Sequence, residues 1–530
     1  MPASSDATAP RQATGGVNPW AIAVLVAVVT FMEVLDTTIA NVALRYISGG
    51  LAVGPDQAAW VVTSYLVANS IVLSASGWIA TVFGRRQFIL VCVALFTISS
   101  VLCGLAWDLP SLLVFRVMQG LAGGGMTPVA QSILAASFPP EKRGQAFALY
   151  GVAVVVAPVV GPVLGGWLSD NWSWHWCFFI NAPVGAICFV LMIAMLPDYG
   201  KEERARLWKR GISFDYVGFF PIAAFLGALE VVLDKGQEED WFGSGFIVTF
   251  AAIAGTVIFI FVPWELIKRD PLIDLRLLGN RQFASCFVAM LATGAILIAT
   301  TQFVPQLLQE DYGYTATLAG EALSPGGVVT AIVMIVSGRL GFIQPRYLIA
   351  IGAALVAAGM FYSTRLYGDS DFWFFALSRM VVGAGLPLLF LPLTTASYAG
   401  IPENRTDQAS AVINIARNFG GSIGVSIAQT TLARREQFHQ SRLAEHVGAW
   451  NPVYQQTLRA TQGYIATQPH LGGGPARTAA AVIGANVQVQ AAFLSYIDVF
   501  ATLGLMAALL VPLALTLRNV ETTSAAPAAH

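Results

Sequence analysis

The sequence predicts an all-α integral membrane protein with fourteen transmembrane helices, six plus two plus six, in two pseudo-symmetric halves. Three observations carry that expectation. Of the 530 residues, 56% are hydrophobic and only 11% charged, with a mean hydropathy of +0.66, whereas soluble domains carry about 25% charged residues. The charges cluster between fourteen apolar runs, each near the roughly 20 residues a helix needs to cross the hydrocarbon core. Short motifs also recur at a nearly constant offset of 261 to 263 positions. A net charge of −1 gives no basis for a nucleic-acid partner.

Taken in order, residues 1–19 are polar and read as a disordered cytoplasmic N-terminus. They lack the basic start and cleavage site of a signal peptide, so the first apolar run is expected to remain as a helix. Spans 1–6 fall near 20–44, 58–80, 88–107, 110–136, 145–168 and 177–196 and form an N-terminal bundle over 20–200. Spans 7 and 8, near 214–233 and 243–264, form an inserted pair within 201–268. Spans 9–14, near 283–305, 318–338, 346–366, 372–397, 408–431 and 494–517, form a C-terminal bundle over 269–517. Residues 518–530 read as a cytoplasmic tail.

Orientation follows from Lys and Arg. With the N-terminus inside, the inside segments hold eighteen of them, including Arg85, Arg86, Lys142, Arg143, Lys268, Arg339 and Arg405, while the short outside loops hold only Arg45, Lys235 and Arg365. Basic residues concentrate on the cytoplasmic side of short loops, so both termini are placed in the cytoplasm. The long outside segment 433–492 is polar and does not weigh on orientation. It reads either as a disordered connector or as a docking element, in which Arg434 to Glu445 extends span 13 beyond the membrane.

The duplication is visible in three echoes. Gly77 and Arg85 after span 2 match Gly338 and Arg346 after span 10; Arg116 and Gly120 in span 4 match Arg379 and Gly383 in span 12. Pro140-Glu141-Lys142-Arg143 before span 5 matches Pro402-Glu403-Asn404-Arg405 before span 13. Two parallel repeats place a substrate site near the midplane between halves that rock against each other.

Charges at bilayer depth cost about 2.5–3.5 kcal/mol each, which makes them functional candidates. Span 1 carries Glu33 and Asp36 three residues apart, on one helix face. At ~1.5 Å per residue, Asp36 lies roughly 12 Å below the outer end of span 1 and Arg116 roughly 10 Å below that of span 4. The two are therefore expected to meet, with Asp36 taking up and releasing a proton and Arg116 tuning it; separating them would favour protonation. A permanent ion pair holding the two helices together is the competing reading. Glu33 is a second carrier or an acidic substrate contact, and Glu33, Asn41, Gln119 and Arg417 are assigned to the substrate cavity. The second half has no matching acid around Ile298 to Thr301. Span 5 carries Pro158, Gly161, Pro162, Gly165 and Gly166, where prolines bend the helix and glycines admit close neighbours, a candidate hinge. The five cysteines show no metal-ligand or disulfide spacing and read as small buried hydrophobes.

These motifs together resemble a known family. Gly77 to Arg86 resembles the loop signature of the major facilitator superfamily, and Arg116-Val117-Met118-Gln119-Gly120 resembles its span-4 motif. The span-5 run resembles the antiporter motif. Leu35 to Leu44, Phe179 to Pro183, Pro305 to Gln309 and Pro392 to Thr395 look like the fourteen-helix drug:proton antiporters, most of all the EmrB type. That resemblance implies a cytoplasmic gate at Gly77, Gly84, Arg85 and Arg86. It also implies a chain seated in the lipid bilayer that exports amphipathic or lipophilic small molecules across a bacterial inner membrane. The implied partners are a periplasmic adaptor of the EmrA type and a TolC-type outer-membrane channel. Thr81 stands where the loop signature usually has Asp, which is expected to weaken a charge-based latch, and Arg45 replaces a usual Pro.

No cofactor is expected and no Gly-x4-Gly-Lys-Ser/Thr occurs, so the proton gradient is the implied energy source. One charge crossing about 100 mV yields about 2.3 kcal/mol, enough for roughly a 50-fold gradient. A dedicated exporter of one metabolite, toxin or siderophore is the alternative. A membrane glycosyltransferase using Asp369 and Asp371 is a remote one.

Overall fold

The computed structural model describes residues 18–198, 204–205, 208, 215–268, 271–340, 342–402, 405–467 and 474–517. Of the expected disordered N-terminus over 1–19, Asn18 and Pro19 are instead the cap and first residue of a helix, because the Asn18 side chain accepts the Trp20 N–H; residues 1–17, the tail 518–530 and the predicted start of the inserted unit at Lys201 lie outside the described residues. Among those described, the chain is all α, with no strand. The N-terminal half comprises α1 (Pro19–Gly50), α2 (Pro55–Phe83), α3 (Arg85–Gly104), α4 (Leu109–Ser137), α5 (Pro140–Asn171), a short α6 (Trp176–Phe179) and α7 (Asn181–Met195). The inserted pair is α8 (Tyr216–Lys235) and α9 (Gly245–Ile267). The C-terminal half comprises α10 (Arg281–Glu310), α11 (Ala316–Ser337), α12 (Pro345–Ser363), α13 (Phe372–Ser397), α14 (Thr406–Ala444), α15 (Pro452–Ala466) and α16 (Pro475–Leu515).

Each of the fourteen predicted spans coincides with one of these helices, span 6 being α6 and α7 together. The break within span 6 has a simple cause: Pro183 has no N–H to give the carbonyl of Phe179. Twelve described helices are long and apolar enough to cross a membrane. The other two, α4 and α14, have 29 and 39 residues but carry interior polar groups such as Arg116, Gln119, Gln131, Asn414 and Arg417, all buried within the bundle. Helices that hide polar side chains among their neighbours look less apolar than they are to lipid.

Helices α14 and α16 have 39 and 41 residues. At ~1.5 Å per residue each is roughly 60 Å long, about twice the ~30 Å hydrocarbon core. Both run on past the outer side, and with α15 they make most of segment 433–492 helical. The connector reading is corrected for the described residues: the polarity of this segment reports water, while its Ala, Gln and Arg content favours helix. At the base of this projection Arg435 (2.5 Å) and His439 (2.8 Å) of α14 both engage Asp498 of α16.

The duplication appears as matching contacts. Gly77 of α2 faces the first turn of α14, where an added Cβ would sit 3.2 Å from the Asp407 carbonyl oxygen. Its counterpart Gly338, following α11, faces the second turn of α5, with the Gln145 Cα 3.5 Å from such a Cβ. Deeper in, Gly120 of α4 admits the Tyr65 carbonyl of α2, and Gly383 of α13 admits the Gly326 carbonyl of α11, each filling the space a Cβ would need. Backbones that close require glycine. The halves meet chiefly through α5 against α11 and α2 against α14, and α8 packs on both α2 and α14.

Candidate functional site: an ion pair beside a central cavity

The local sequence puts two acids on α1 and one Arg on α4, and helix packing decides which meet. Arg116 Nη1 lies 2.6 Å from Asp36 Oδ2, with both side chains wholly buried. Gln119 Nε2 (2.8 Å) and Asn181 Nδ2 (2.6 Å) donate to Asp36 Oδ1. Arg116 Nε donates to the Val61 carbonyl at 3.0 Å, Nη1 also reaches Gln119 Oε1 at 2.9 Å, and the guanidinium stacks 4.3 Å from the Tyr65 ring centroid. Among the described residues Arg116 Nη2 has no hydrogen-bond partner. Asn181 is in turn placed by Ser100 Oγ at 3.1 Å. The arrangement ties α1, α2, α3, α4 and α7 together around one carboxylate. A buried ion pair is stable only with this many donors, and removing one partner strands the other.

Glu33 lies one turn away but in a different setting. Its Oε2 accepts from Thr127 Oγ1 at 2.7 Å. It also lines a cavity of about 250 Å³ between the two halves, which Asp36 does not reach. The walls come from α1 (Glu33, Thr37, Asn41), α2 (Tyr65, Asn69), α5 (Pro158), α8, α10 and α14 (Arg417, Asn418). Its lining runs from mid-membrane to Leu44 and Gln302 in the outer halves of α1 and α10, and on the cytoplasmic side of it the two halves are bonded shut.

That seal is made of identifiable contacts. Arg85 holds Asp407 through Nε (2.9 Å) and Nη2 (3.0 Å), a two-pronged bond across the halves. Gln131 Oε1 of α4 accepts from Tyr398 (3.2 Å), Ser410 (3.1 Å) and Asn414 (2.8 Å) of the other half. Gly84, at φ +94°, makes the sharp turn into α3 that presents Arg85. Arg86 turns away and donates to the Ile193 carbonyl at 2.7 Å.

The predicted residues therefore divide. Asp36, Arg116 and Gln119 come together; Glu33, Asn41 and Arg417 line the cavity. Gln119 is corrected: it is fully buried on Asp36 and does not reach the cavity, because its amide is drawn into the ion-pair network. Gly161 and Gly165 of α5 accept Thr38 and Ile39 of α1, Pro158 borders the cavity, and Pro162 and Gly166 lie buried in an unbroken α5. The weak latch expected from Thr81 is supplied instead by Asp407, which sequence reasoning passed over. Asn181 was also missed as a partner of Asp36, and so were Glu230, Asp234 and Glu238, all cavity residues on or just after α8. In the second half Arg379 Nη1 donates to the Thr300 carbonyl at 3.3 Å, and among the described residues it forms no ion pair, as the missing acid there implies.

Asp371 accepts from the Phe374 backbone N–H as the cap of α13, and Ser370 and Tyr367 close the turn beside it. One acid of the glycosyltransferase reading, Asp371, thus serves as a helix cap, while Asp369 is exposed beside it. All five cysteines are free and buried. Among the described residues no group of His, Cys, Asp and Glu could hold a metal.

A two-fold helical bundle with a mid-membrane cavity between halves defines a secondary transporter. Residues 26–425 match the Major Facilitator Superfamily, and the chain belongs to it. It is 38% identical over 429 residues to the multidrug export protein EmrB of Haemophilus influenzae, covering 80% of this chain and 83% of that one. It is 37% identical over 451 residues to EmrB of Escherichia coli strain K12 (84% and 86% covered), and 37% identical over 439 residues to the fatty acid resistance protein FarB of Neisseria gonorrhoeae (83% and 85%). Its fold is similar to that of the proton:xylose symporter XylE, with a TM-score of 0.58 at 13% identity over 94% of this chain and 96% of that one.

Proposed function

We propose that this chain is a proton-coupled antiporter that exports amphipathic or lipophilic small molecules across the inner membrane. The observation that carries the reading is a carboxylate exposed to the central cavity, Glu33, one helical turn from the sealed Asp36–Arg116 pair. A ligand or proton arriving at Glu33 acts on α1, and α1 carries the acid whose partner is fixed to α4. Breaking the Asp36–Arg116 contact as the halves rock would let Asp36 take a proton, and re-forming it would expel that proton. The names of the EmrB and FarB relatives support export of drugs and fatty acids. The apolar residues among the cavity walls, Val34, Leu66, Val154 and Ile298, suit lipophilic cargo.

We further propose assembly with a periplasmic adaptor of the EmrA type and a TolC-type channel, as the motif resemblance to the EmrB type implies. The helices projecting from the outer side are the proposed contact, with Arg434 to Glu445 on the flank of α14. Proteoliposomes carrying the purified chain should take up a lipophilic cation and a lipophilic acid when a pH gradient is imposed. Uptake that ignores the gradient would refute antiport. Movement of neither probe, with transport of one compound from native cell extract, would instead identify a dedicated exporter. Charge reversals at the exposed Arg434, Arg442 and Glu445 should lower whole-cell efflux and leave proteoliposome transport intact.

A further inference from the structure

The inserted helix α8 is part of the cavity wall. It crosses the seam between the halves: Gly227 lets it lie against Val67 and Ile71 of α2, Asp234 accepts from Thr63 of α2, and Glu230 accepts from Ser422 Oγ of α14 at 2.6 Å. Glu230 and Asp234 are one turn apart on the face that lines the cavity.

Pairing the charges around this space leaves a remainder. Arg116 is taken by Asp36 at 2.6 Å, and Lys235 by Glu238 at 2.6 Å. Arg417 Nε and Nη2 are held by Asn418 Oδ1 at 3.4 and 3.3 Å. Among the described residues Glu230, only 2% exposed, and Asp234 form no ion pair; each has a single hydroxyl donor. A second observation points the same way: Arg417, 9% exposed, also borders the cavity, and its Nη1 is buried without an acceptor. Arg417 and Ser422 stand five residues apart on one helix, so the backbone positions that carry the guanidinium and the hydroxyl bonded to Glu230 are offset by roughly 7–8 Å along α14. A carboxyl lacking a cation and a donor lacking an acceptor, facing one cavity, are complementary to a molecule that brings both.

We propose that Glu230, with Asp234 beside it, is the cation-recognising subsite of the cavity. It takes the positively charged head of an amphipathic ligand whose carbonyl or carboxylate, further along the molecule, accepts from Arg417. The inserted helix pair is thereby a specificity element. This rests on the central cavity being the substrate site, as proposed above, but not on proton coupling.

The test is a pair of fluorescence-polarisation titrations on the full chain in detergent. Rhodamine 6G is the cationic probe with an ester carbonyl, and Nile red is a neutral lipophile of similar size. Glu230→Gln should weaken rhodamine 6G binding at least tenfold and change Nile red binding less than twofold, and Glu230→Asp should keep most of the preference. Equal loss for both dyes, no loss for rhodamine 6G, or no binding of rhodamine 6G by the wild type would each overturn the proposal. If Glu230→Gln does not elute as a folded species, Asp234→Asn decides by the same comparison, with at least a threefold selective loss expected. Selective binding without any gradient-driven transport would leave this subsite standing and refute antiport.

Discussion

Replacing Asp36 by Asn separates the ion pair from the rest of the network without changing its shape. Asp36 and Arg116 are both fully buried, and Asp36 accepts from Arg116, Gln119 and Asn181. The amide introduced by Asp36→Asn would leave the Arg116 guanidinium uncompensated, and among the described residues its Nη2 already lacks a hydrogen-bond partner. Removing one member of a buried pair costs about 3–5 kcal/mol, whereas replacing both by apolar groups is often neutral or stabilising by about 1–4 kcal/mol. Asp36→Asn should therefore lose about 3–5 kcal/mol of unfolding free energy in mixed micelles, followed by tryptophan fluorescence. Asp36→Asn combined with Arg116→Met should recover to within about 1 kcal/mol of wild type, because no buried charge is then stranded. Neither variant should couple substrate to protons. A single substitution costing under about 1 kcal/mol would show that the pair is not sealed as described. A double variant that recovers stability and still couples would show that the pair only fastens α1 to α4.

Three further outcomes follow from other contacts. Asp407→Asn frees Arg85 from its two-pronged bond, worth about 1–2 kcal/mol, and should shift the population toward the cytoplasm-open form about 5- to 30-fold. Spin labels at Gln87→Cys and Tyr347→Cys should report the longer distance, and exchanging the charges as Arg85→Asp with Asp407→Arg should reverse it. Gly120→Ala pushes a methyl into the Tyr65 carbonyl oxygen and should cost about 1–3 kcal/mol, while Gly463→Ala, with nothing within 4 Å, should be neutral or stabilising in the same unfolding assay. Asp311, beyond the outer end of α10, has its carboxyl pushed up to about 6 by burial, and then by Glu310 and Glu436. The folded state thus holds this proton more tightly than the unfolded chain, and stability is lost as pH rises from the ordinary carboxylate range through 6. The gain in thermal midpoint from Asp311→Asn should accordingly grow between about pH 4 and pH 6 and stay level above.

The fold was legible because lipid imposes one strong rule on a helix, about 20 apolar residues, and the chain obeys it in most spans. Depth was legible too. Counting ~1.5 Å per residue from the helix ends placed Asp36 and Arg116 at the same level, and they are bonded. What linear sequence does not carry is which helix faces which. Asn181 stands at the start of α7 and gives no periodic signal of its distance from α1. Glu230 and Asp234 belong to an insertion outside the repeat, so the offset that aligned the halves says nothing about where α8 lies. Asp407 was overlooked because the latch was sought at position 81, within the same half, whereas the pseudo-symmetry brings the first turn of α14 to Gly77. The outer segment 433–492 was ambiguous for a different reason: polarity separates water from lipid, not helix from coil.

The most direct test of the central claim is simultaneous measurement of substrate and proton flux in proteoliposomes, comparing wild type with Asp36→Asn carrying Arg116→Met. Wild type is expected to drive substrate against its gradient while protons move the opposite way. The double variant is expected to exchange substrate down its gradient with no accompanying proton movement. Proton movement that persists, in fixed ratio to substrate, in the double variant would contradict coupling through Asp36 and move that role to Glu33.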